Sequence, residues 1–188
     1  MIATSMTGHQ RPHRGASDEW LTPPEIIEAL GPFDLDPCAM VDQPWMTAAL
    51  QYTLPGDGYA EFWPKDFLVW LNPPFGPEAA AWVAKLAEHG NGIALVAART
   101  ETRWFVQHIW ESADGILFLH GRPHFHYPDG TRAKANSGVP ICLVGYGDEA
   151  CRRLKHVTSP CLAGSFIERW YVKRNAAVSD ASAGGEDR

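Results

Sequence analysis

FLVWLNPPFGPEAAAWVAKLAEHGNGIALVAA (residues 67–98) decides how this chain folds. Its first five residues, Phe67 to Leu71, are all apolar, as in a strand covered on both faces. The run stops at Asn72, and Pro73 and Pro74 forbid its continuation. PEAAAWVAKLAEHG (77–90) is built from strong helix formers and closes on Gly90. GIALVAA (92–98) is again short and apolar. Strand, helix, strand in this order predicts a right-handed crossover between parallel strands, with helices covering the sheet. Ligands of such sheets bind beyond the carboxyl ends of the strands, and Asn72 stands at one of them.

Working outward, TPPEIIEAL (22–30) predicts a short helix, with Thr22 as N-cap, Pro23 at the first helical position and Glu25 in capping-box spacing. Gly31 stops it. PFDLDPCA (32–39) reads as a short strand that turns at Pro37, a second strand end of chemical interest. Residues 40–64, rich in Pro, Gly and aromatics, leave room for a short helix around 44–50 and a short strand around 50–54. ETRWFVQHIWES (101–112) predicts an amphipathic helix, with Trp104, Phe105, His108 and Ile109 near one face. GILFLHG (115–121) and VPICLVGYG (139–147) are further strands joined by a long loop, and DEACRRLKHV (148–157) is a last helix. The expected fold is α/β, a mostly parallel sheet with an antiparallel hairpin toward the C-terminus. It occupies one domain, residues 17–174, between a flexible arm (1–16) and a small, polar, disordered tail (175–188).

Hydrophobic content of 45% and charged content of 20% suit a soluble globular core. No apolar stretch approaches the ~20 residues of a membrane helix, and the N-terminus lacks the apolar core of a secretory signal. Neither a membrane partner nor export is expected. Cys38, Cys142, Cys151 and Cys161 show no C-x-x-C pairing and read as free thiols of a reducing cytoplasm. The net charge of −6 argues against a general nucleic-acid coat, yet it is uneven. Residues 1–150 carry 9 Lys and Arg against 18 Asp and Glu, whereas 151–174 carry 6 basic residues against Glu168 alone. A basic end on an acidic body faces either a polyanion or plain solvent.

The chemistry of Asn72-Pro73-Pro74-Phe75 follows from its parts. Two prolines make a stiff loop whose carbonyls point in set directions and which lacks N–H groups. The Asn72 side-chain oxygen adds a further acceptor, and Phe75 adds an aromatic face. Such a set suits a planar amine: the exocyclic amine of adenine or cytosine, or a carboxamide nitrogen. Acceptors on both N–H groups draw the nitrogen toward tetrahedral geometry and free its lone pair to attack a methyl donor, which is catalysis by positioning and by acceptors aimed at developing charge. A structural proline turn is the plainer reading of the same residues.

Read in context, Asn72-Pro73-Pro74-Phe75 resembles the Asn/Asp-Pro-Pro-Tyr/Phe motif of amino-methyltransferases. DEWLTPPEIIEAL (18–30), FDLDPCA (33–39), GDGYAEFW (56–63), VWLNPPFG (69–76), ALVAARTETRWF (94–105) and ILFLHGRPHF (116–125) resemble, in order, blocks of the phage-type DNA N-6-adenine methyltransferases (Dam-like), over about residues 18–147. The resemblance implies a compact Rossmann-like methyltransferase of the host cytoplasm, with S-adenosylmethionine as donor and adenine in double-stranded DNA as acceptor. It implies that Asn72 and the Pro73 carbonyl hold the amine and that Phe75 stacks on a flipped base. Trp20, Thr22 and Pro23 are implied near the donor's methionine end, with Asp36, Pro37, Cys38 and Ala39 as the donor-binding turn and Asp57 at its ribose or adenine. The turn DPCAM departs from the family habit, because it has no G-x-G. Cytosine N-4 or a protein glutamine as acceptor, and a silent fold that only binds DNA, are the alternatives.

Other residues invite separate readings. His120, His124 and His126 form H-x3-H-x-H, but no nearby Cys, Asp or Glu completes a familiar metal site, and no metal is expected. Arg122, Arg132 and Lys134 in the same loop suit DNA phosphates and base edges, or belong to a plain surface hairpin. Trp70, Trp82, Trp104 and Trp110 read as core; Trp20, Trp45 and Trp63 read as pocket candidates. Asp34 and Asp36 share a strand face as a conceivable pair of acids.

Overall fold

The computed structural model describes residues 20–169. The expected arm and tail, with Trp170, Lys173 and Arg174, lie outside the described residues. The chain runs α1 (Pro24–Leu30), β1 (Leu35–Asp36), β2 (Leu50–Gln51), β3 (Val69–Leu71), α2 (Ala79–His89) and β4 (Gly92–Ala97). It continues through α3 (Arg103–Phe105), a π-helical turn (Val106–Trp110), β5 (Gly115–Leu119), β6 (Ile141–Tyr146), α4 (Asp148–His156), a 3-10 turn (Pro160–Leu162) and β7 (Gly164–Glu168).

The seven strands form one sheet in the order β2-β1-β3-β4-β6-β5-β7. Pairings β1·β2, β1·β3 and β3·β4 are parallel. Pairings β4·β6, β5·β6 and β5·β7 are antiparallel. The expectation of a mostly parallel sheet therefore holds for its first part only. β6 returns between β4 and β5, which makes the β5–β6 hairpin, and β7 extends the antiparallel half. GSFIE gave no buried run to read, because as an edge strand β7 alternates half-buried and exposed residues.

Side chains sort cleanly by the period of two that a strand imposes. Val69, Leu71, Ala94, Val96, Cys142 and Val144 point to one face, where Val83 and Leu86 of α2 and Phe105 and Ile109 pack on them. Trp70, Ile93, Leu95, Ile141 and Leu143 point to the other, under Ile26 and Leu30 of α1 and Ala150 and Leu154 of α4. The sheet is thus the middle of three layers, and its strands read as apolar runs because both faces are covered.

The helices refine the expectations. α1 begins one residue later than the capping box requires: Pro23 is the N-cap, Pro24 is N1, and no side chain caps the end. Thr22 is instead buried, and its carbonyl accepts from Trp45 Nε1 at 3.2 Å. α2 ends as expected at Gly90, whose φ of 78° is a left-handed value that glycine adopts without steric cost. The amphipathic helix over 101–112 shortens to Arg103–Trp110 and turns π-helical where the Tyr146 hydroxyl donates to the His108 carbonyl at 2.5 Å. No helix forms over 44–50; Pro44 and the side-chain bonds of Trp45 and Thr47 hold it as a loop.

Three of the basic residues toward the C-terminus form ion pairs. Arg152 and Arg153 pair with Glu149, and Lys155 pairs with Glu168. Arg153 also donates to the carbonyls of Leu30 and Pro32, both at 2.7 Å, and so ties α4 to the end of α1. Removing it leaves those carbonyls without their charged donor: Arg153→Ala is expected to destabilise by about 2 kcal/mol. Arg152→Ala, which loses only a surface pair, is expected to cost under about 0.5 kcal/mol; urea denaturation of the two variants checks the difference.

Candidate active site

β1 has β2 on one side and β3 on the other. The chain reverses its direction of travel there, and the loops after β1 and β3 diverge. That divergence opens a crevice at the carboxyl ends of the strands. A cavity of about 640 Å³ fills it, a size suited to a small-molecule site.

Most of the residues singled out in the sequence meet in this cavity. Trp20, Thr22, Asp36, Pro37, Cys38, Ala39 and Asp57 line it, and so do Asn72, Pro73, Pro74 and Phe75. Pro23 does not line it; it is occupied in starting α1. Asp34 is turned away, its Oδ2 accepting from Leu68 N at 2.8 Å, so the two aspartates do not act as a pair.

The Asn72 amide is oriented by one bond. Its Nδ2 donates to the Trp20 carbonyl at 3.0 Å. A carbonyl can only accept, so the amide oxygen must lie on the other side. Among the described residues neither Asn72 Oδ1 nor the Pro73 carbonyl accepts a hydrogen bond, whereas the Pro74 carbonyl accepts from Gly76 N at 2.8 Å. Two acceptors at the cavity wall are therefore left over. Phe75 is 38% exposed, and its ring meets the buried Phe125 edge-on at 5.6 Å. Phe125 thus backs Phe75 from the β5–β6 loop, a role nothing in the sequence signalled.

The other end of the cavity is acidic. Asp36 is buried, with Oδ1 accepting from Cys38 N at 2.9 Å and Oδ2 from Thr47 Oγ1 at 2.5 Å. Burial pushes its carboxyl up to about 6 against the pull of these two donors. Burial, and then the Asp36 charge, push the Cys38 thiol far above its ordinary range, so Cys38 is no nucleophile. Asp57 caps its own turn, accepting from Tyr59 N and Ala60 N at 3.0 and 3.3 Å. No Lys, Arg or His lines the cavity among the described residues.

The glycine that DPCAM lacks stands across the cavity. A Cβ on Gly58 would lie 2.0 Å from the Pro37 carbonyl oxygen, so the loop after β2 approaches the turn after β1 as only glycine permits. α2 holds that loop from outside. Lys85 Nζ donates to the Tyr59 and Glu61 carbonyls and lies 4.6 Å over the Trp63 ring. Of the tryptophans, Trp20 and Trp82 line the cavity, Trp63 and Trp70 are buried, and Trp110 is 37% exposed rather than core.

The β5–β6 loop closes one side of the mouth. His126 bridges Leu21 and Arg132 through backbone pairs, Tyr127 packs on Trp20 at 5.4 Å, and Pro128 reaches the cavity. Arg122, Arg132 and Lys134 are exposed on it and form no ion pair among the described residues. Its histidines do not converge: His120 Nε2 bonds Ser165 Oγ and His124 Nδ1 donates to the Ala133 carbonyl. Among the described residues no group of three or more His, Cys, Asp or Glu could hold a metal ion.

The cavity at the point of strand reversal, acidic at one end and with two acceptors beside an exposed ring at the other, has the size and position of a small-molecule site in an α/β sheet. The family model of the DNA N-6-adenine-methyltransferases (Dam) matches residues 10–145, and the chain belongs to that family. No curated protein and no solved structure matches it.

Asp36 makes a prediction about the free protein. Its folded value of about 6 lies above the ordinary 3.8, so the folded state holds the proton more tightly. That contribution is present at acid pH and is lost as pH rises through about 6. Asp36→Asn cannot ionise, so its stability relative to the native chain is expected to rise by about 2 kcal/mol between pH ~4 and ~7. Urea denaturation of both proteins across that range is the check.

Proposed function

We propose that the chain transfers a methyl group from S-adenosylmethionine to the N-6 amine of adenine in double-stranded DNA, the base being flipped into the mouth of the cavity. One observation carries the reading: the free acceptors at Asn72 and Pro73 open into the same cavity as the acidic turn at Asp36. The donor, when bound, supplies a methyl group on a positively charged sulfur. A cavity lined, among the described residues, by two aspartates and no basic side chain fits such a cation, with Asp36 and Asp57 toward its charged and hydroxyl-bearing parts.

Asn72 Oδ1 and the Pro73 carbonyl accept the two N–H bonds of the amine. Phe75, held edge-on by Phe125, offers its face to the base. A methyl group transferred to that nitrogen would leave positive charge on the amine. The two acceptors would stabilise that charge, and the methylated amine would then lose its extra proton to water. The backbone and the packed rings hold the acceptors in place beforehand. The exposed Arg122, Arg132 and Lys134 beside the mouth meet DNA phosphates.

Asn72 is tested by two substitutions. Asn72→Ala removes an acceptor and is expected to lower kcat by at least about 100-fold. Asn72→Asp keeps an oxygen but sets a carboxylate, which cannot donate, against the Trp20 carbonyl 3.0 Å away. It is expected to lose turnover as well, and label transfer to DNA measures both. Near-normal turnover of Asn72→Ala contradicts the mechanism. For the loop, Arg122→Ala with Lys134→Ala is expected to weaken DNA binding and flatten its salt dependence by about two phosphate contacts. A salt titration that matches the native chain removes the loop from the interface.

A further inference from the structure

We propose that Thr47 is a positioning residue that keeps the Asp36 carboxylate ionised to receive a cationic ligand in the cavity. The inference rests on the donor reading above only for the identity of that ligand. Thr47 was not signalled by the sequence; it lies in the loop where a helix was expected.

Everything turns on one hydroxyl. Thr47 is buried, and its Oγ1 stands 2.5 Å from Asp36 Oδ2. A hydroxyl has one hydrogen and two lone pairs. Gln43 Nε2 donates to it at 3.2 Å and Gln51 Nε2 at 3.1 Å. The Gln43 amide is oriented from its far side, because Oε1 accepts from Met40 N at 3.3 Å. With both lone pairs taken by amide donors, the hydroxyl hydrogen is directed at Asp36. Two donors on the hydroxyl oxygen also polarise its O–H bond and strengthen it as a donor. Asp36 Oδ1 already accepts from Cys38 N, so both carboxylate oxygens are acceptors, the arrangement that favours the anion.

Nothing else in the cavity supplies that support. The titratable groups that line it with Asp36 are Cys38 on the turn after β1, and Tyr52 and Asp57 after β2. The loop after β3 contributes none, and Asp34 is bound to Leu68 N. No cation of the chain faces Asp36 among these lining residues. Burial favours the neutral acid, and Thr47 with the Cys38 amide opposes it. Gln43 and Gln51 act at one remove, through Thr47.

Thr47→Val keeps the shape and removes the hydrogen. In the ligand-free protein, carboxyl-carbon NMR follows the titration of Asp36, assigned by its loss in Asp36→Asn. The midpoint is expected to rise by about one pH unit in Thr47→Val. It should stay native in Thr47→Ser and rise by less in Gln43→Leu, a variant at a half-buried position that tests the relay if Thr47→Val fails to fold. Calorimetric titration with S-adenosylmethionine is expected to show about twofold weaker binding by Thr47→Val near pH ~7 and close to about tenfold weaker near pH ~5, with binding near native at pH ~9. An unmoved Asp36 titration overturns the proposal, as does an affinity loss equal at every pH. A shifted titration in a protein whose native form binds no S-adenosylmethionine upholds the role of Thr47 and overturns the donor reading.

Discussion

The two prolines that end β3 constrain everything around the cavity. A strand that continued past Leu71 would carry Asn72 into the next rung of the sheet, with its polar groups spent on the ladder. Stopped there, the backbone leaves the sheet at its ligand edge. The Asn72 amide finds one partner, the Trp20 carbonyl. That bond fastens the segment before α1 across the end of β3 and turns the amide oxygen the other way. The same segment pairs through Leu21 with His126, which brings in the β5–β6 loop and its Phe125 behind Phe75. The rings at the mouth are thus assembled from three distant stretches by a single stop in a strand.

The opposite end of the cavity is governed by charge. A buried carboxylate without a basic partner is costly, and proteins usually neutralise it or pair it. Among the described residues no side-chain cation pairs with Asp36, and its support comes from a hydroxyl and a backbone amide. On the proposed reading, donors that favour the anion leave its attraction for a cationic ligand. The close approach of Gly58 to Pro37 shapes this end, since the glycine lies in the loop after β2 rather than in the turn after β1.

What was legible in the sequence is what local patterning controls. The apolar runs of β3, β4, β5 and β6 announced themselves because both faces of the sheet are covered. α2 and α4 followed from composition and stop signals. Asn72 was legible because prolines after an apolar run leave few alternatives. Less could be read where tertiary contacts decide. Thr47 and Gln43 sit in an irregular loop whose order comes from Asp36, and no spacing marks them. Phe125 is one aromatic residue among many until its position against Phe75 is known. The capping reading at Thr22 failed because two successive prolines shift the helix start by one. The basic cluster at 152–155 looked free because Glu149 and Glu168 were counted by segment rather than by contact.

The account comes down to whether the cavity methylates the amine its acceptors suit. The direct measurement is incubation of the purified chain with methyl-labelled S-adenosylmethionine and unmethylated double-stranded DNA, followed by digestion to nucleosides and chromatographic identification of the labelled product. Label in N-6-methyladenine is the predicted result. Label in N-4-methylcytosine, or DNA left unlabelled by a chain that binds the donor, would contradict it.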